Sequence, residues 1–136
     1  MNQVLLQEDR VSKPVLGMLL GGILGVFDGL SALVSAGDDP AIRAGIVGIV
    51  IGSTIKGVLT GLIIGWIARR TQSLPFAVAA GLGVGLLLAL CVSLMQLAAG
   101  QPAYYWQIML PGGILGMIVG YATMRYADER RRPQTT

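Results

Sequence analysis

Residues 14–36 read PVLGMLLGGILGVFDGLSALVSA, an apolar run in which Asp28 is the one charged side chain. A helix needs about 20 apolar residues to cross the ~30 Å hydrocarbon core of a bilayer. Three more runs of that kind follow, at about residues 41–68, 74–99 and 104–126. Because backbone groups in lipid must be hydrogen-bonded within their own segment, the four runs predict transmembrane helices.

The composition of the 136 residues agrees with a membrane protein, since 54% are hydrophobic and 12% are charged. A soluble domain carries about 25% charged residues. The connections between the runs are short, which places consecutive helices antiparallel. We predict an all-α integral membrane protein with four transmembrane helices in an up-down-up-down arrangement. Residues 14–126 form this domain, preceded by a cytoplasmic N-terminal segment at 1–13 and followed by a cytoplasmic basic tail at 127–136.

Lysine and arginine are distributed unevenly along the chain. Eight of the ten lie in the N-terminal segment, the second connection or the C-terminal end, whereas Arg43 alone follows the first connection. Cytoplasmic segments of membrane proteins carry an excess of these residues. The bias predicts a multi-pass protein of the cell inner (plasma) membrane with both termini in the cytoplasm.

Glycine recurs at every fourth residue along much of the first, second and fourth runs. That spacing keeps one helix face free of side chains, which lets membrane helices pack backbone to backbone. We predict glycine-zipper packing at Gly17, Gly21, Gly25, Gly29, Gly57, Gly61, Gly65, Gly112, Gly116 and Gly120. The partners that this pattern predicts are the lipid bilayer, further copies of the chain or other membrane subunits.

The two halves of the chain also resemble each other in their spacing of small residues. Gly57 of the second run aligns with Gly112 of the fourth, and Gly21 of the first aligns with Gly81 of the third. Each half is then one helical hairpin, and the two hairpins share one orientation. This pattern predicts a parallel two-hairpin repeat.

Two charged residues lie well inside the runs. At 1.5 Å per residue, Asp28 and Lys56 lie about 21 Å and about 18 Å from the same membrane face. A charge at a helix centre costs roughly 2.5–3.5 kcal/mol, which favours an ion pair between them. With nearby hydroxyl residues they form a predicted intramembrane polar locus of Asp28, Ser31, Ser53, Lys56 and Thr60. We expect a polar pocket there that opens toward the outer face.

Three interpretations of the two charges are left open by the sequence. A buried pair can fix the register of two helices and do nothing else. Alternatively, the pair binds an ion, a proton or a small polar solute. In the third, the two do not meet and Lys56 extends toward a membrane surface. The serine and threonine residues do not distinguish these three interpretations, because their hydroxyls can bond to their own helix backbone.

The missing residue types restrict the chemistry. The chain has no His and one Cys, Cys91, which excludes an intrachain disulfide, a Cys/His zinc site and a Ser-His-Asp triad. No nucleophile, base and stabilising groups converge, so we expect no enzyme activity, no catalytic residue, no metal site and no cofactor. The glycines at 81, 83 and 85 follow no strand, which argues against a dinucleotide site. The sequence has no basic patch with interleaved aromatic residues, so we expect no nucleic-acid binding.

Two functions remain. The first is a small homo-oligomeric pore or transporter for an ion or small polar solute, with Asp28 and Lys56 as its intramembrane locus. The second is a non-catalytic accessory or assembly subunit of a larger membrane complex, docked through its glycine stripes.

Overall fold

A computed structural model describes residues 12–35, 38–101 and 105–129, with side chains described as far as Tyr126. It contains α1 (Lys13–Ser35), α2 (Pro40–Arg70), α3 (Leu74–Ala98) and α4 (Tyr105–Glu129), and those ranges include no strand. All four helices are long and apolar enough to cross a membrane. The prediction of an all-helical chain with four apolar helices of membrane-spanning length is confirmed for these ranges, and the four helices support a multi-pass membrane protein.

Two helices are longer than the sequence predicts. α2 ends at Arg70 and α4 at Glu129, two and three residues past the expected ends at 68 and 126. The first residues of the predicted tail thus continue α4. The N-terminal segment at 1–11 and the remaining tail at 130–136 lie outside the described residues.

Local sequence signals set the helix ends. The Asp39 side chain accepts a hydrogen bond of 2.9 Å from the Ala41 N–H, and Pro40 occupies the first turn of α2, a combination typical of helix starts. Gly100 follows α3 with φ of 73°, a conformation that ends helices and favours glycine. Pro111 lies inside α4, and its missing N–H leaves one helix carbonyl without its usual donor.

The two helices of each hairpin touch backbone to backbone. A Cβ atom added to one glycine would overlap the carbonyl oxygen of its opposite in the pairs Gly17/Gly61, Gly21/Gly57, Gly81/Gly116 and Gly85/Gly112. Residue numbers rise along one helix as they fall along the other, so the helices of each pair are antiparallel. Only residues without a side chain permit backbones to come this close.

Glycines of the described helices differ in what they face. All ten of the predicted packing positions are buried, and each faces the partner helix of its own hairpin. In contrast, Gly45, Gly48, Gly52 and Gly83 have no neighbour within 4 Å of an added Cβ. Three of these four lie in the half of α2 that begins at Pro40, which therefore presents a bare face to its surroundings.

The two hairpins meet through α2 and α4. Each of these helices contacts the other three, whereas α1 and α3 do not touch within the described residues. Side chains of the central helices form the shared core, where Ile64 packs with Leu115 and Val119. Large apolar side chains cover the outside; Phe27 is 65% exposed and Trp106 is 83% exposed. Apolar surface of this extent suits contact with lipid.

The backbone contacts align the two hairpins differently from the sequence repeat. Gly57 and its counterpart Gly112 contact Gly21 and Gly85, respectively. The predicted repeat aligned Gly21 with Gly81, which is one helical turn away from Gly85. The sequence match was misplaced by one turn because small residues recur every four residues along both helices.

The second helices of the hairpins also end alike. Arg70 lies over the Trp66 ring, 4.6 Å from its centroid, and Arg125 lies over the Tyr121 ring at 5.6 Å. Both arginines follow their aromatic residue by four positions, and both pairs fit the alignment of Gly57 with Gly112. The two hairpins therefore resemble each other in their glycine positions and in the arginine–aromatic pairs at the ends of α2 and α4.

The backbone contacts predict opposite outcomes for two Gly→Ala substitutions on different faces. Gly21→Ala should destabilise the protein by about 1–3 kcal/mol or more, because the new methyl group has no space. Gly48→Ala should change stability by less than about 1 kcal/mol, because alanine favours helix and meets nothing. Unfolding in detergent by increasing dodecyl sulfate, followed by circular dichroism, measures both. Equal effects of the two substitutions would contradict the described packing.

Candidate functional site

An ion pair lies near the middle of the α1–α2 hairpin. The Lys56 ammonium donates a hydrogen bond of 2.8 Å to Asp28 Oδ2. Asp28 lies 15 residues after the start of α1 and Lys56 lies 14 residues before the end of α2. At 1.5 Å per residue both are about 21–22 Å from the same end of the bundle. The expectation that similar depth brings the two charges together agrees with this geometry.

The glycines explain why the two side chains meet. Gly25 and Gly29, which flank Asp28, lie against the backbone of α2 at Ser53 and Val50. Gly57, next to Lys56, lies against Gly21. With the helix backbones in contact on both sides of the pair, the four-carbon side chain of lysine reaches the carboxylate without leaving its helix face.

Both charged side chains are largely shielded, with 8% of Lys56 and 10% of Asp28 exposed. Taking two charges from water is expensive, and close pairing with a good hydrogen bond offsets much of that cost. Removal of one partner leaves an uncompensated charge, which costs about 3–5 kcal/mol in buried pairs. Stability of the folded protein therefore depends on the presence of both residues together.

The hydroxyl residues of the predicted locus bond mainly to their own helices. Thr60, which is 1% exposed, donates to the Lys56 carbonyl at 2.8 Å. Ser31 donates to the Asp28 carbonyl at 2.6 Å. Ser53 contributes its backbone to the contact with Gly25. The residues of the locus are therefore neighbours in the structure. Their described hydroxyl groups nevertheless donate to main-chain carbonyls, as expected where serine and threonine bond to their own helix backbone.

A groove runs between α1 and α4 beside the pair. It has a volume of about 300 Å³, is open on one side, and is lined by Leu24, Phe27, Asp28, Ser31, Leu110, Pro111, Ile114, Leu115 and Ile118. Asp28 is the ionisable residue among them, and Lys56 is not part of the lining. Seven of the nine lining residues are apolar, so the groove differs from the polar pocket that the sequence predicts.

Sequence reasoning missed the α4 side of this groove. Leu110, Ile114 and Ile118 carry no chemical signal, because apolar residues at helical spacing are expected on any membrane helix. Pro111 was the available signal, since proline inside a membrane helix frees a backbone carbonyl that neighbouring groups must satisfy. Its position opposite Asp28 depends on how the hairpins pack, which the spacing does not encode.

Other polar groups inside the bundle stay apart from the pair. Ser93 is fully buried and donates to the Ala89 carbonyl at 3.0 Å. Within the described ranges, the buried atoms Gln96 Oε1 and Thr123 Oγ1 have no hydrogen-bond partner. No group of three or more His, Cys, Asp or Glu that could hold a metal ion occurs in the described part of the chain.

The geometry predicts non-additive effects of substitutions in the pair. Asp28→Asn and Lys56→Met should each destabilise the protein by about 3 kcal/mol, because each leaves one charge unpaired. The double variant should be no less stable than either single variant, because no uncompensated charge remains. Unfolding of the four proteins in the same detergent measures the coupling. Additive losses would contradict an ion pair between these residues.

Comparison with known proteins gives no family for the chain. No family model matches it, and searches of curated proteins and of solved structures return no similar protein.

Proposed function

We propose that the chain is a small homo-oligomeric membrane pore or transporter in which Asp28 and Lys56 meet an ion, a proton or a small polar solute. The observation that carries this proposal is the position of Asp28, an ionisable residue inside a helix of membrane-spanning length, on the wall of an open groove. Ionisable residues within membrane spans frequently mark ion pathways and proton relays. Lys56 holds the Asp28 carboxylate beside the groove through an ion pair of 2.8 Å.

The groove supports an oligomer over a single working chain. The groove is open on one side and its lining residues Phe27, Leu110 and Ile114 are apolar, so lipid would fill it in an isolated chain. A second copy that covers this side would exclude lipid and enclose the carboxylate. Polar access to Asp28 then depends on the assembled particle.

A second function is favoured by the bare half of α2. Gly45, Gly48 and Gly52 meet no neighbour within 4 Å of an added Cβ, although glycine lowers helix stability by about 1 kcal/mol relative to alanine. A non-catalytic accessory or assembly subunit would use this face to dock into a larger membrane complex. In that case the Asp28–Lys56 pair fixes the α1–α2 register and has no transported ligand.

The glycine contacts and the charges support a finer arrangement in the membrane. We infer glycine-zipper packing within each hairpin and helices that cross the membrane up-down-up-down. We also infer that the protein lies in the cell inner (plasma) membrane with both termini in the cytoplasm. One end of the bundle carries four basic residues, Lys13, Arg69, Arg70 and Arg125. The other end carries Asp38, Asp39 and Arg43. The excess of basic residues favours the first end as the cytoplasmic one.

The transport proposal predicts a flux that depends on Asp28. Purified protein in vesicles should carry H⁺, K⁺ or Cl⁻, measured with entrapped indicators. Asp28→Asn should lower that flux at least about tenfold or alter its pH dependence without changing the oligomer size, because it removes the ionisable group in the groove.

Two controls separate this role from a structural one. Asp38→Asn, in the exposed first connection, should leave the flux unchanged. The exchange Asp28→Lys with Lys56→Asp keeps an ion pair but places lysine in the groove, so it should fold and lose or alter the flux. Failure of the wild-type protein to carry any of the three ions would contradict an ion or proton pathway, and normal flux through the exchanged pair would contradict the role of Asp28.

A further inference from the structure

We propose that the C-terminal end of α2, together with the start of α1, forms a binding surface for the phosphate headgroup of an anionic phospholipid. This surface, here termed the α2-end surface, consists of Lys13, Trp66, Arg69 and Arg70. It is about 21 Å away from the Asp28–Lys56 pair along the helix axis and does not depend on transport by that pair.

A contact between distant parts of the chain assembles the surface. The Lys13 ammonium donates a hydrogen bond of 2.9 Å to the Ala68 carbonyl, across 55 residues of sequence. This bond satisfies one of the last carbonyls of α2, which have no helical donor. It also places a third cation at the end of α2 that carries Arg69 and Arg70, and Lys13 keeps two further N–H donors.

The arginines are accessible and one of them is held in place. Arg69 and Arg70 are both exposed. The Arg70 guanidinium lies over the Trp66 ring at 4.6 Å from its centroid, and Trp66 is itself 53% exposed. Tryptophan is enriched at the membrane–water interface, so this stacking holds a guanidinium at the depth of lipid headgroups.

The charges at this end have no acidic complement among the described side chains. The ion pairs of the described residues are Arg43–Asp38 and Lys56–Asp28, and neither involves Lys13, Arg69 or Arg70. Asp38 and Asp39 lie at the opposite end of the 31-residue helix α2. Three clustered cations at the membrane edge are complementary to phosphate, which arginine binds with two parallel N–H donors.

Lipid is the source of phosphate that fits this position. The surface borders apolar helix faces suited to contact with acyl chains, where Leu62, Ile63 and Leu74 are exposed. A phospholipid bound there satisfies the cations with its headgroup and the apolar faces with its chains. A zwitterionic lipid offers the same phosphate with a cation attached, so the surface should discriminate between the two headgroups.

Native mass spectrometry of the full chain in detergent tests the proposal with phosphatidylglycerol and phosphatidylcholine titrated separately. The variant Arg69→Gln with Arg70→Gln should bind phosphatidylglycerol about 30-fold more weakly, at about 1 kcal/mol per basic residue. Should the double variant not fold, each single variant should weaken binding about fivefold. Wild-type protein should prefer phosphatidylglycerol over phosphatidylcholine.

Two control variants locate the binding. Arg43→Gln removes a basic residue at the opposite end of α2, and the triple change Arg130→Gln, Arg131→Gln and Arg132→Gln removes the basic residues of the tail. Both should retain wild-type binding. Unaltered binding by the Arg69/Arg70 variant, equal binding of both lipids, or loss confined to the tail variant would overturn the proposal.

Discussion

The helix backbones of each hairpin approach each other so closely that no side chain fits between them at the paired glycines. At Gly21 and Gly57 neither helix carries a side chain, and an added Cβ on either residue would overlap the other backbone. Hydrophobic burial supplies little drive for helix association in lipid, so packing at short range must supply it. The antiparallel register that these contacts fix then sets the depth and direction of every polar side chain on α1 and α2.

The ion pair, the groove and the basic surface follow from that register. Lys56 reaches Asp28 because the flanking glycines bring the two backbones together, and Lys13 reaches the Ala68 carbonyl because α1 begins where α2 ends. The α3–α4 hairpin has the same glycine contacts without the charges: Pro111 occupies the position that corresponds to Lys56. One hairpin thus carries the charged locus, and the other contributes the apolar wall against which Asp28 lies.

The sequence predicts much of the hairpins and little of their mutual arrangement. Length and hydropathy are sufficient for the four helices, and depth along the helices is sufficient to match Asp28 with Lys56. The alignment of Gly21 with Gly81 was one turn in error because a four-residue period is compatible with every shift of one turn. The apolar groove and the Lys13 contact were missed because they depend on how Ile64, Leu115 and Val119 pack the hairpins together, and apolar spacing does not specify such pairings.

We propose that the Asp28–Lys56 pair works within an assembly of identical chains. Native mass spectrometry of the particle, extracted gently from its own host membrane, would determine its subunits. We expect a closed homo-oligomer in which every protein subunit has the mass of this chain. Stoichiometric co-purification with larger proteins would contradict it and would identify the chain as an accessory subunit of their complex.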